Sequence, residues 1–158
     1  MNDPQNLTQS KRLNLILNAL RDIGKLIVTQ TDRQELLNGI CNILVEKRGY
    51  FNAWIGLLDE DNCLLMTAQA GVGKKFASMQ KQIENKAFPV CIKQTLASNR
   101  VFSVIDPVVG CVDCILAENY AGRGAMAVRL THGERNYGFM VLSVAKELSI
   151  DKNEKTLV

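Results

Sequence analysis

Apolar residues recur at Leu13, Ile16, Leu20, Ile23 and Ile27 in steps of three and four. That rhythm is a heptad seam, widened by Leu17 and Leu26, and it predicts an amphipathic helix. A seam of this kind packs on its own domain or on a second copy, and we expect a homodimer through residues 10–28. Residues 1–9 are polar and read as a linker or a disordered lead-in; the domain runs from 10 to 158. A second helix starts at Thr31 or Asp32, with Gln34 or Glu35 three residues on as the capping-box partner. Leu36, Leu37, Ile40, Ile43 and Leu44 form its apolar face. Lys47 and Arg48 suit its negative end, and Gly49 supplies a left-handed stop.

The period then changes. Tyr50 to Leu58 is aromatic and apolar, a strand covered on both faces, and Asp59-Glu60-Asp61-Asn62 is a turn. Cys63 to Ala70 returns as the second strand of a hairpin. Phe76, Met79 and Ile83 stand at helical spacing, and Pro89 opens another short helix that Ser98-Asn99 ends. Val101 to Ile105 is a short strand. Residues 108 to 124 have no clear period and read as a long loop or an irregular helix. Ala125 to Leu130 alternates, with Met126, Val128 and Leu130 on one face, and Tyr137 to Ala145 completes a second hairpin. Two helices, a hairpin, two small helices, a strand and a hairpin make an α+β fold. Its sheet is mostly antiparallel, with the N-terminal helices on one face and a helical lid on the other. Ser149 or Asp151 with Glu154 marks a further capped helix, which we expect to lead into an adjacent output domain of a longer protein.

Charge and composition narrow the function classes. The chain has 158 residues, 47% of them apolar, and a net charge of +3. Lys74, Lys75, Lys81 and Lys86 are the nearest thing to a basic cluster and read as a solvated helix face rather than a nucleic-acid track. No apolar run reaches the length of a membrane span, and the N-terminus lacks a secretory pattern. We expect a soluble, cytoplasmic domain. An odd count of five cysteines fits that reducing setting better than a disulfide scaffold.

Three stretches carry a family resemblance. Gly49-Tyr50-Phe51-Asn52-Ala53-Trp54-Ile55-Gly56-Leu57 resembles the first core strand of bacterial GAF domains. Gly124 to Leu130, followed by Asn136-Tyr137-Gly138-Phe139-Met140-Val141-Leu142, resembles their closing hairpin. Residues 89 to 105 resemble the helix and strand between them. The resemblance implies a regulatory, non-catalytic domain of a signalling protein such as a sensor histidine kinase or diguanylate cyclase, with a small-molecule pocket on the sheet face away from the N-terminal helices. Trp54, Phe76, Met79, Phe102, Tyr120, Met126 and Val128 are the candidate lining; Arg123 and Arg129 would favour an anion if they faced inward. The family's cyclic-nucleotide signature and bilin Cys-His pair are absent. The single histidine, His132, sits in a turn between Thr131 and Gly133, which speaks against haem.

Cys111-Val112-Asp113-Cys114 is the sharpest chemical feature. Two thiols at this spacing share a metal ion or form a reducible disulfide. Cys91 is the natural third ligand or redox partner, while Cys41 and Cys63 read as buried small hydrophobes. Three uses stay open: inert thiols, a redox sensor, or a thiolate-bound metal or iron–sulfur site. A fourth comes from the resemblance, because one GAF branch reduces free methionine sulfoxide with cysteines in similar places. That branch also uses carboxylates where this chain has Ala125, Val141 and Ser143, which leaves the reaction without an acid. The acidic turn Asp59-Glu60-Asp61 and the Gly71-Val72-Gly73-Lys74-Lys75 loop are explained by local structure; the loop lacks the spacing of a phosphate-binding motif.

Overall fold

The structure is a computed structural model that describes residues 4–158. Helix α1 spans Pro4–Thr29, so it begins inside the stretch read as a linker; residues 1–3 lie outside the described residues. Helix α2 spans Arg33–Glu46. Its cap is Asp32, whose carboxylate accepts the Glu35 amide at 2.9 Å, and Gly49 behind it has φ +84°. The two helices meet closely at Gly39, where a Cβ would stand 2.5 Å from a Leu26 methyl.

The seam on α1 divides. Ala19 is buried, and Ile16, Ile23 and Leu26 are partly covered. Leu13, Leu17, Leu20 and Ile27, at the same heptad steps one position round, are 54–58% exposed. One apolar stripe therefore serves this domain and a second faces solvent.

Strands β1 (Asn52–Leu58), β2 (Leu64–Ala70), β3 (Phe102–Val104), β4 (Gly124–His132) and β5 (Arg135–Val144) form one antiparallel sheet in the order β2-β1-β5-β4-β3. Helices α3 (Phe76–Glu84), α4 (Val90–Leu96) and α5 (Pro107–Gly110) and a 3-10 turn at Ala117–Tyr120 lie between β2 and β4. Helices α6 (Lys146–Ile150) and α7 (Lys152–Leu157) follow β5, and Asp151 caps α7 through the Asn153 and Glu154 amides. None of the described helices is long and apolar enough to cross a membrane.

Register decides which side chains share a face. Trp54 stands opposite Val141, Val141 opposite Ala127, and Ala127 opposite Phe102. Trp54, Ala127 and Val141 pack with Val72, Phe76, Met79, Ile92, Leu116 and Tyr120 in one core layer. The alternate positions, Ala53, Ile55, Met126 and Leu142, pack with Leu37 and Cys41 of α2 in the other. The sheet is thus covered on both faces, as the sequence pattern implies.

Candidate functional site

The cavity lies on the sheet face away from α1 and α2. Its floor is the row Trp54, Val141, Ala127 and Phe102, joined by Ala125 and Val104 one register step along. The two small residues on β4 make the room, since a larger side chain at 125 or 127 would fill it. The roof is built from short turns. Pro89 caps α4 and sets Cys91 in its first turn. In α5 the Cys111 amide donates to Pro107 O at 2.9 Å. The Cys114 amide then donates to Cys111 O, and the Ala117 amide to Cys114 O, both at 3.1 Å. Cys91, Cys111 and Cys114 therefore line the same cavity, with Leu116 and Tyr120 beside them. Its volume is about 20 Å³, room for one water-sized occupant.

The thiols are not equivalent. Cys91 and Cys111 are neighbours in the cavity wall. That proximity holds the Cys111 pKa below the ordinary thiol value, against burial and the Asp113 charge that push it up. The same proximity, then burial and the charges of Cys114 and Cys111, push Cys91 up. Cys111 is thus the thiol that ionises first. Burial raises Cys114 to about 11. Among the described residues no three His, Cys, Asp or Glu side chains stand close enough to hold one metal ion, so the three thiols share a cavity without forming a ready ligand set.

Of the expected lining, Trp54, Phe102 and Tyr120 are in place, and the Trp54 indole N–H donates to the Tyr120 hydroxyl at 3.2 Å. Burial pushes that phenol up, which keeps it protonated. Three expectations, Phe76, Met79 and Val128, need correction. Phe76 and Met79 are sealed in the core beside the cavity; Phe76 meets Trp54 edge to face at 5.6 Å. Met126 does line the cavity, while also packing with Leu142 in the α2 layer. Val128, opposite Met140, shares that face and does not reach the cavity. Alternation groups 126, 128 and 130 correctly, yet it does not say which covered face they take. Arg129 donates to Leu96 O at 3.0 Å and to the Asn99 side chain, tying down the end of α4. Arg123 lies over the Phe51 ring at 4.0 Å. Val104, Pro107, Leu116, Ala125, Ala127 and Val141 also line the site. Only the period-2 pattern of β4 and β5 hinted at any of them.

No family model matches the sequence, and no curated protein matches it. Solved structures do. The GAF domain of an Acinetobacter phosphoenolpyruvate-protein phosphotransferase aligns with a TM-score of 0.64 at 14% identity, over 91% of this chain and 85% of that one. The fold is that of a GAF domain. Another GAF domain, from A. aeolicus nlh2 in an inactive state, gives a TM-score of 0.62 at 12% identity, over 94% and 85% of the two chains. Free methionine-R-sulfoxide reductase from Neisseria meningitidis, solved with its substrate, gives 0.62 at 18% identity over 90% and 80%. The GAF scaffold is thus shared by domains of different proteins and by an enzyme, and the cavity residues must carry the distinction.

Proposed function

We propose that this GAF-fold chain is the sensory domain of a larger signalling protein and that its cysteine-lined cavity reads a small oxidant. The observation that carries the reading is the convergence of Cys91, Cys111 and Cys114 on one apolar cavity of about 20 Å³. Hydrogen peroxide approaches that size, whereas an amino acid or a nucleotide far exceeds it. The Cys111 thiolate attacks one peroxide oxygen, the O–O bond breaks, and water leaves after protonation, giving a sulfenic acid. The Cys91 thiol then attacks that sulfur; the S–S bond forms, a second water leaves, and the peroxide has taken two electrons. The exposed stripe Leu13, Leu17, Leu20 and Ile27 suits a homodimer through α1. Such a seam, with α7 on the same side of the sheet, is the path by which the change reaches an output domain.

Reduction of free methionine sulfoxide is the second reading, favoured by the fold shared with that reductase. Ala125 and Val141 line the cavity and Ser143 pairs with Ala125, so no carboxylate is present where the resemblance calls for one. The test treats the reduced protein with hydrogen peroxide and maps its cysteine peptides. A Cys91–Cys111 cross-link that is lost in Cys111→Ser supports the sensor. Catalytic turnover of methionine sulfoxide by the wild type, abolished in the same variant, would replace it with the enzyme. Five free thiols after peroxide would remove both.

A further inference from the structure

A cavity of about 460 Å³ lies at the end of the sheet beside the start of α2. Arg33 of α2, Leu57 and Leu58 of β1, Leu65 of β2, and Arg135 and Tyr137 of β5 line it. None of the six belongs to the cysteine-lined cavity. Four elements thus bring two arginines over an apolar floor. That floor is open to solvent, because Leu65 is 61% and Tyr137 39% exposed. Open apolar surface rimmed by charge marks a place where something binds. The two cations are weakly neutralised. Asp32, beside Arg33, commits its carboxylate to the Glu35 amide at 2.9 Å, and Arg33 is in none of the ion pairs among the described residues. The Arg135 guanidinium lies over the Tyr137 ring at 4.9 Å. Its carboxylate partner is Glu60 at 3.8 Å, a long pair between exposed side chains that holds little. Two like charges on one groove are stabilised by an anion between them.

We infer that this groove binds an amphipathic monocarboxylate, with its carboxylate between Arg33 and Arg135 and its apolar tail over Leu57, Leu58, Leu65 and the Tyr137 ring. Guanidinium forks match the geometry of a carboxylate, and burial of the tail adds to the attraction. An amine is repelled by both cations, and a neutral alcohol gains the tail contact alone. Glu60 already offsets part of the positive charge, which suits a monoanion better than a phosphate dianion. The volume lies in the range of small-molecule sites, and an acid as short as acetate leaves most of it empty, so a tail of several carbons is required. β2 is an edge strand, where an extended peptide could add to the sheet. The Gln34 side-chain amide donates to Thr67 O at 2.8 Å and blocks that ladder, which favours a compact ligand over a peptide strand.

The test titrates the isotope-labelled full chain with octanoate, using octan-1-ol as the uncharged control and acetate as the short one, and reads the amide and side-chain NMR shifts. Octanoate should give saturable shifts centred on residues 33, 57–58, 65 and 135–137. It should bind at least about tenfold tighter than either control. Both arginines are exposed, so Arg33→Gln/Arg135→Gln should keep the wild-type spectrum elsewhere. That variant should lose at least about tenfold in octanoate affinity while octan-1-ol binding stays unchanged. Leu65→Asp should weaken octanoate as well, by placing a like charge under the tail. The inference is overturned if octanoate gives no saturable shifts, if they centre elsewhere, if octan-1-ol binds as tightly, or if the double arginine variant binds octanoate like the wild type.

Discussion

Cys91, in the first turn of α4, faces Cys111, at the end of α5, in the wall of one cavity. This proximity links two helices and separates Cys111 chemically from Cys114, its near neighbour in sequence. Only Cys111 is shifted toward the thiolate.

The first prediction follows from that asymmetry. Near neutral pH, limiting iodoacetamide should label Cys111 before Cys91 and Cys114, because the thiolate is the nucleophile. Cys91→Ala removes the side chain that lowers Cys111 and should shift the pH midpoint of Cys111 labelling upward. Mass spectrometry of the labelled peptides reads both, and an unchanged midpoint in Cys91→Ala would remove the Cys91 side chain as the cause.

Cys41 gives a pH dependence of stability. Burial raises its pKa from 9.0 to about 12. The folded state therefore keeps the proton that the unfolded chain releases first, so this contribution is fully present below about pH 9 and is lost as pH rises toward 12. Three units correspond to on the order of 4 kcal/mol. Urea unfolding between pH 8 and 11 should show a steep loss in the wild type. Cys41→Ala should start less stable, because of the cavity it leaves, and should decline less over the same range.

This chain shows where sequence patterning reaches and where it stops. Asp32, Gly49 and the alternation on β4 and β5 act within a few residues, so the caps, the hairpins and the two-faced sheet were legible. The pairing of Cys91 with Cys111 was not, because spacing favours Cys111 with Cys114 and only the packing of α4 on α5 reverses that preference. Glu154 reads as a helix-start residue and Arg48 as a helix-end charge; nothing local says that two segments far apart in sequence bury them together. The segment 108–124 had no period because its turns are too short to have one. Alternation cannot say which layer Val128 joins, since both faces of this sheet are apolar.

Gly138 has φ +137°, and a Cβ there would fall 2.0 Å from the Gly56 carbonyl oxygen on the neighbouring strand. Gly138→Ala should therefore cost about 3 kcal/mol or more, from backbone strain together with disrupted pairing between β1 and β5. Gly133, at φ +60° with nothing within 4 Å, is the control: Gly133→Ala should cost about 1 kcal/mol. Denaturant titration ranks the two, and equal losses would refute the close-approach argument.

A dimer through α1 predicts that Leu13→Glu/Leu17→Glu is monomeric by light scattering. Both side chains are more than half exposed in the single chain, so monomer stability should change by less than about 0.5 kcal/mol per site. A wild type that is monomeric at high concentration would eliminate this interface.

Ser143 is buried, and its hydroxyl oxygen has no hydrogen-bond partner, as is also true of the Asn52 side-chain oxygen on the strand beside it. Ser143→Ala should raise stability by about 1 kcal/mol by removing one unpaired group. A loss of similar size would mean that the hydroxyl is satisfied by an internal water.

The strand order β2-β1-β5-β4-β3 puts the last strand to be synthesised in the middle of the sheet. While the ribosome has made β1 and β4 but not residues 135–144, those two strands have no partner between them, and both faces of the sheet lack their central apolar row. The nascent chain must carry these open edges until β5 emerges, a span in which edge-to-edge association competes with folding. Final closure then joins regions remote in sequence, the kind of topology that folds slowly. Synthesis interrupted before Arg135 should yield aggregating fragments rather than a smaller folded domain.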